Sequence, residues 1–556
     1  MTKAANSNKK EQILQWLIFG AYAALLIIVS CFHEPWHDEA EAWQMAKAPL
    51  KDILFYIPHY EGHPALWYLI LSIPAKLGVP YELGLKSIAC AAALVYGWLI
   101  LFRSPFPKIL RFVLPFHYFL IYQYGVLSRP YCLMVLCLFL MAMAFRKRNE
   151  KPFRFLLPMA VLCALSGYGV VIAGGICLAW VWEILCEKGW KFWTLSFWKD
   201  RRILGLFLLL VVAVAVILEI MPRPDTYATT RGAGNSLIVR LLYTMFMMLP
   251  DSTVITVLEG AAYLNKAMIA VPIIIVGVVI GICMLFAIAC FGAKKDLKYF
   301  FVPYVLFTVF AACVYLCAHH MGLILVFTIF WLWLAWENPE RGWLFGKLKG
   351  KMKVAESDAR TLGIAGRIAL AVVLIIPLYW TAGASFLDVT QPFYYSRDLA
   401  KFLKNTGLSE LKIMGGFEER IPLPFPEGGD FYDYVNTELV ARPVTVTAYF
   451  DRNICENLNM GRDDAAYALH RVPTAEENRK NIEAWRAMGA PDVIINDEGM
   501  FLVLGDDDLG NYAAVYEYAP FMHIWKAFTS KYNIQYKGYV FLRKDLLDKY
   551  GLTPIQ

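Results

Sequence analysis

Residues 33–43 read HEPWHDEAEAW and follow directly on an apolar run, and residues 61–69 read EGHPALWYL. Acids and histidines gathered at a membrane edge must face water, protein or a ligand, because an unsatisfied polar group in hydrocarbon costs several kcal/mol. A carboxylate in a partly dry place can take a proton from a hydroxyl or an amine, as a general base does. Asp38 is the candidate, with Glu39 or Glu41 in support. Spacing leaves a second reading open. Pro35 suits a first helical position, Asp38 and Glu41 lie three residues apart on one helix face, and acids in a first turn complement the helix dipole.

Other segments add groups of the same kind. Glu61 and His63 precede Pro64, where the chain turns toward a further apolar stretch; they either cap and anchor it or bind an acceptor or metal. Arg129 and Tyr131 lie in VLSRPY at the end of an apolar run. A cation there either snorkels to headgroups or offers the planar fork that phosphate needs. His319 and His320 interrupt two apolar runs in VYLCAHHMGLILVF, so at least one should point into protein or a water-filled cavity. Arg223, Arg231 and the Gly-rich TTRGAGN (229–235) are either solvated or close over a ligand. His33, His37, Asp38, Glu61 and His63 include ligand types for a divalent ion, although no tight ligand spacing accompanies them.

The elements that must position these groups are apolar helices. The chain has 556 residues, 58% hydrophobic and 18% charged, a composition that excludes an ordinary soluble domain. Charge divides it: residues 1–384 carry 35 Lys+Arg against 21 Asp+Glu, whereas residues 385–556 carry 18 against 25. The boundary separates a membrane module from a soluble tail. An uncleaved first helix follows MTKAANSNKKEQ, and apolar stretches recur around 83–102, 109–124, 130–145, 155–171, 172–186, 203–220, 267–291, 299–318, 321–336 and 364–384, giving about eleven spans. With the N-terminus in the cytoplasm, 26 Lys+Arg fall in inner segments and 9 in outer ones. That count requires the 64–78 stretch to lie along the outer surface. Residues 32–82 then form a first outer loop with juxtamembrane helices, and six of nine histidines (His33, His37, His59, His63, His319, His320) share that face.

The tail mixes helical stretches (SRDLAKFLKNTG, TAEENRKNIEAWRAMGA) with short β-rich runs (LKIMGGF, PVTVTAYF, PDVIINDE, YVFLRK), which predicts a small extracytoplasmic α/β domain. Only Cys455 of the twelve cysteines falls in it, so disulfides are not its main support. No GKS/T phosphate loop, Gly-rich dinucleotide fingerprint or paired CxxC occurs.

In this order, the Asp38-Glu39 pair after the first span, GHPALWYL (62–69), SRPY (128–131) and HHMG (319–322) carry a resemblance. The chain resembles the GT-C superfamily of membrane glycosyltransferases, particularly the branch of protein O-mannosyltransferases and aminoarabinose lipid A transferases. It departs from that pattern in having His37 before the acidic pair, where a bulky basic residue is common, and Ala65 at the second Pro of an HPP-type motif. The resemblance implies a GT-C-like polytopic α-helical membrane protein that transfers a sugar, with inversion, from a polyprenyl-phosphate donor to a glycan, lipid or protein acceptor on the outer face. Asp38 would be the base. Arg129 would contact the donor phosphate, and Tyr131, His319, His320, Arg231, Glu61, His63 and His37 are the further substrate-binding candidates. No cofactor is then required, a divalent metal is an option rather than a demand, and no nucleic acid is expected as partner.

Two other functions remain open. A transporter or flippase of lipid-linked sugars would use intramembrane charge, of which the sequence has few examples, His117 and Glu219 among them, and would favour a repeat symmetry that is not evident here. A non-catalytic envelope scaffold would tolerate replacement of Asp38.

Overall fold

The computed structural model describes residues 2–226, 236–254, 271–316, 318–352, 356–415, 445–458, 487–496, 510–519, 538–555 and scattered positions between 467 and 535. It is mostly helical. A segment in hydrocarbon must satisfy its own backbone groups, so each apolar run winds into a helix. In chain order these are α1 (Thr2–Phe32), α2 (His37–Ala46), α3 (Leu50–Phe55), α4 (Pro58–Glu61), α5 (Leu66–Lys76), α6 (Tyr81–Arg103), α7 (Lys108–Val113), α8 (Tyr131–Phe145), α9 (Pro152–Leu165), α10 (Gly167–Glu187), α11 (Leu195–Trp198) and α12 (Arg201–Glu219). They continue with α13 (Leu237–Leu242), α14 (Met248–Asp251), α15 (Val271–Phe291), α16 (Lys298–Cys313), α17 (Ala318–Glu337), α18 (Trp343–Met352), α19 (Glu356–Thr390), α20 (Ser396–Thr406) and the short α21 (Leu547–Tyr550).

Among the described residues, α1, α6, α10, α12, α17 and α19 are long and apolar enough to cross a membrane, and α5, α8, α9, α15 and α16 are shorter apolar helices. Burial sorts the long ones. The apolar stretch of α17 is 83% buried, which makes it the central helix, whereas those of α1, α12 and α19 are 28%, 33% and 28% buried. On α12 the exposed side chains are Phe207, Leu208, Leu210, Val211 and Val214, a surface suited to lipid and not to water.

The bundle has two polar ends. At one, Lys108 and Arg111 pair with Glu11 (2.6 and 3.1 Å), Arg146 with Asp296 (3.1 Å), Arg148 and Lys298 with Glu183 (2.7 and 3.2 Å), and Arg202 with Glu187 (2.7 Å). The basic segments singled out in the sequence thus meet at the same end. At the other end lie His33, α2, Arg129, Glu219 and the start of α17. Glu219, at the end of α12, accepts a hydrogen bond from Ala65 N–H at 3.2 Å, and His59 Nδ1 is 2.8 Å from the Met221 carbonyl, so this end gathers five of the six histidines by direct contact or proximity to α2 and α17 and the sixth through the 221–226 segment.

The segment between α1 and α6 folds as α2 to α5. Gly62, at φ 64°, ends α4 in the left-handed region and turns the chain into His63-Pro64, so a side chain at this position would be strained. Helix α5 packs on α2 and α6 through Trp67, Tyr68 and Leu71. The tail contains a four-stranded sheet ordered β1 (Ile413–Gly415), β2 (Val493–Asn496), β6 (Gly538–Arg543), β3 (Tyr512–Tyr518), with β1 and β2 parallel and the other pairs antiparallel. β4 (Phe521–Met522) and β5 (Ile534–Gln535) form a separate antiparallel pair. Alternation in β6 puts Val540 and Leu542 into the core with Leu399 and Leu403 of α20. The described cysteines are all free thiols.

Several expected elements differ. The 109–124 run is not one helix: α7 stops at Val113, a 3₁₀ turn at Leu114–Phe116 follows, and Phe119–Val126 winds as a π-helix. Pro115 lacks the N–H that a continuous helix needs there. The 155–171 and 172–186 runs are divided instead at Ser166, whose hydroxyl caps α10 by accepting from Tyr168 N–H at 3.2 Å. Within PVTVTAYF, Thr445–Thr447 form a helical turn and not a strand. All three are fully buried, and Thr445 Oγ1 lies 2.5 Å from Ser396 Oγ at the start of α20, so tertiary packing overrides the β-branched preference. The last apolar helix runs to Thr390, six residues beyond the expected boundary at 384. Residues 475, 478, 479, 481, 482, 485 and 486 of the predicted 474–490 helix lie outside the described residues, as do Arg231 and TTRGAGN.

Close packing at the start of α17 yields a test of the core. A Cβ on Gly322 would lie 2.2 Å from Phe119 Cδ1 and 2.6 Å from Tyr124 Oη, and Phe119 is buried with nowhere to move. Gly322→Ala is therefore expected to cost roughly 1–3 kcal/mol, read as a lower melting temperature in detergent.

Candidate active site

Helix α2 begins where α1 ends because Trp36 is extended and Glu39, three residues on, reaches back to its N–H (3.2 Å). The turn leaves Asp38 on the rim and Glu39 inside. Asp38 meets Arg129: Nη1 donates to the Asp38 carbonyl at 2.8 Å, and Nη2 lies 3.3 Å from the carboxylate Oδ2. The Asp38 side chain is 27% exposed and that of Arg129 13%, so the pair is mostly buried with its edge at the surface. Burial works against the charge on Arg129, but Asp38 first, then Tyr131, Tyr68 and Glu39, outweigh it and raise the guanidinium above its ordinary value.

Arg129 can reach this position because the chain before it is irregular. The π-helix Phe119–Val126 ends with Leu127 extended, and Arg129 precedes the first turn of α8. Turns of this kind often re-aim functional side chains. Behind the pair sits a Tyr/His cluster. The Tyr131 hydroxyl is 2.8 Å from His320 Nε2, and Tyr168 Oη is 3.4 Å from His320 Nδ1. His319 meets His320 edge to face with ring centroids 4.1 Å apart and feels the charges of Asp38 and Arg129. Tyr124 Oη donates to the His319 carbonyl at 2.6 Å, fixing the start of α17. His63 joins from the segment between α4 and α5, its ring 6.5 Å from that of Tyr131.

Glu61, Glu41, Asp38 and Arg129 all act electrostatically on the buried Tyr68 of α5, so these four lie around one side chain. His37 Nε2 is 3.4 Å from Glu41 Oε2 one turn along α2. Thus Asp38, Arg129, Tyr131, His319, His320, Glu61, His63, His37 and Glu41 fall in one neighbourhood. Tyr68, Tyr124 and Tyr168 join them without a signal in the sequence, since a tyrosine in an apolar run reads as core. Among the described residues, no group of three or more His, Cys, Asp or Glu side chains is arranged to hold a metal ion.

Glu39 is different from its neighbour. It is fully buried, with Oε1 accepting from Ser128 N–H at 2.5 Å and Oε2 accepting from Trp36 N–H while lying 3.1 Å from His33 Nε2. A carboxylate so committed holds structure and is poorly placed to exchange a proton with a substrate. His33 in turn has Nδ1 3.1 Å from Asp388 Oδ2.

Two buried groups here predict how stability depends on pH. Burial disfavours charge on His33, but the carboxylates of Asp388 and Glu39 outweigh it and raise the imidazole to about 9. Tyr122 also faces His33, while Lys86 and Arg397 donate to its carbonyl. A folded value above the ordinary 6.5 gives stability that is full below pH 6.5 and is lost as pH rises through 9. Glu34 is pushed up by burial to about 7, against the N–H of Arg397 that it accepts. A carboxyl raised above its ordinary value binds its proton more tightly when folded, so stability falls between pH 4.5 and 7. Both act in one direction. Folding stability is expected to decline from pH 5 to 9 by about a few kcal/mol at most, read as a falling melting temperature, with the upper half of the decline missing in His33→Gln.

Comparison with protein-family models, with curated proteins and with solved structures finds no match to this chain.

Proposed function

We propose that this chain is an inverting membrane glycosyltransferase of GT-C type, taking its sugar from a polyprenyl-phosphate donor. The observation that carries the reading is the mostly buried Asp38–Arg129 pair, which sets a carboxylate and a fixed guanidinium side by side at the ends of apolar helices. A donor anchored in lipid by its polyprenyl chain presents its phosphate at that level. In the reaction, an acceptor hydroxyl or amine attacks the anomeric carbon from the face opposite the phosphate. The carbon–oxygen bond to phosphate breaks with its electron pair, the acceptor proton passes to the Asp38 carboxylate, and the anomeric configuration inverts. Arg129 stabilises the negative charge growing on the phosphate, and the Tyr131–His320 pair beside it supplies further polar contact. The acceptor is a glycan, a lipid or a protein.

In this reading about eleven apolar segments cross the bilayer. The end rich in Arg and Lys pairs faces the cytoplasm with the N-terminus, and Asp38 and the tail face outward in the cell membrane. The test is turnover of a panel of polyprenyl-phosphate sugars by the purified protein in detergent with an envelope extract as acceptor source. Expected are release of free polyprenyl phosphate and a product of inverted anomeric configuration by NMR. Failure of every donor to react would move the assignment to transport or scaffolding, since only an enzyme consumes the donor without a membrane to cross.

A further inference from the structure

We infer that Asp388, His33 and Glu39 form a positioning relay through which the attachment of the C-terminal domain sets the Asp38–Arg129 pair. Glu39 is the pivot. One of its oxygens holds the N–H of Ser128, the residue before Arg129, at 2.5 Å, and Glu39 itself follows Asp38 in α2. The two partners at the rim are therefore each one residue from atoms clamped by a single buried carboxylate. A shift of that carboxylate changes the separation of Asp38 and Arg129 directly.

What orients Glu39 is His33, fully buried, with its ring nitrogens 3.1 Å from Glu39 and 3.1 Å from Asp388. An imidazolium donates to both; a neutral ring can donate to only one. An ordinary core histidine needs no second carboxylate, and a lone buried acid on an apolar helix is costly unless paired. Asp388 lies in the last turn of α19, and the tail begins a few residues later. The tail grips the same residue. Arg397 of α20 donates to the His33 carbonyl (2.8 Å) and forks onto Glu82 (2.8 and 2.7 Å), its own N–H goes to Glu34 (2.6 Å), and Phe393 packs on the His33 ring with centroids 4.7 Å apart. Lys86 Nζ donates to the same carbonyl at 2.5 Å. The first turn of the tail thus fixes residue 33 by side chain, backbone and ring contact.

That the rim pair is a transfer site rests on the proposed function; that the relay holds the pair does not. Two readouts separate them. Amide hydrogen exchange by mass spectrometry on His33→Gln, Asp388→Asn and the double variant needs no substrate. Faster exchange is expected in peptides covering 34–43 and 126–130, with 131–145 and β6 unchanged, and no further increase in the double variant. On a reactive donor, kcat is expected to fall on the order of 10²-fold while the donor KM stays nearly constant, because geometry and not affinity is lost. Asp388→Asn preserves shape and serves where His33→Gln fails to fold. Unchanged exchange at 34–43 and 126–130, or an equal rise throughout the helices, would overturn the relay. If wild-type protein consumes no donor, the glycosyltransferase reading falls and the exchange result still decides the relay.

Discussion

Asp38→Asn is expected to lower sugar transfer by about 10²–10⁴-fold, the usual contribution of a positioned general base, with the folded state retained. The substitution is nearly isosteric, and the amide oxygen still accepts from Arg129. The ion pair joins side chains only 27% and 13% exposed, so its loss costs more than the ~1 kcal/mol of an exposed pair, while the Arg129 hydrogen bond to the Asp38 carbonyl is kept. Activity and stability should therefore separate. Glu39→Gln gives the contrast: its amide can donate where the carboxylate accepted, against the N–H groups of Ser128 and Trp36, so the melting temperature drops along with the rate. Transfer should be followed as free polyprenyl phosphate and as product, with melting measured on the same samples. Turnover in Asp38→Asn within a few-fold of wild type would place the base elsewhere, and the nearby Glu41 or Glu61 would be next to test.

The contrast between two adjacent acids shows where sequence reading stops. Asp38 and Glu39 are equivalent as letters: both sit in the first turn of a helix after an apolar run. Which is the anchor and which the rim group depends on Ser128 N–H and His33 lying inside, and those are tertiary facts. Arg129 was legible because an arginine ending an apolar run needs a reason to be there. Asp388 carried the same kind of signal, an acid at the end of an apolar helix, but its partner lies 355 positions away in the chain.

Elements were more legible than their interruptions. Apolar length predicts helices α1, α6, α8, α12, α16 and α17 because hydrocarbon leaves the backbone no other choice. The same length hides a break at Pro115 and a cap at Ser166, each a single residue inside an apolar run. In the tail, the runs around Ile413, Val493 and Val540 form strands of one sheet, whereas Thr445–Thr447 of PVTVTAYF, a run of strand composition, pack as a buried turn against α20. Composition reports a preference of a few tenths of a kcal/mol per residue; burial against a neighbouring element decides the outcome.

Arg129→Ala is expected to reduce kcat by about 10²–10³-fold, the cost of removing one preorganised group from developing charge, and Arg129→Lys should recover only part of it. The guanidinium reaches the Asp38 carbonyl and carboxylate with two nitrogens at once, which a single ammonium cannot reproduce. On the proposed function, an arriving donor phosphate competes with the Asp38 carboxylate for the same cation. Its binding is expected to draw Nη2 toward the donor and release Asp38 from its partner, so that the carboxylate becomes a better base only once a donor is in place. A double-variant cycle with Asp38→Asn tests that coupling. If the two residues act as one unit, the pair of substitutions costs little more than either alone; if Arg129 serves only to bind donor, the losses multiply and appear in KM. Full activity in Arg129→Ala would remove the phosphate from this site and, with it, the observation on which the glycosyltransferase assignment rests.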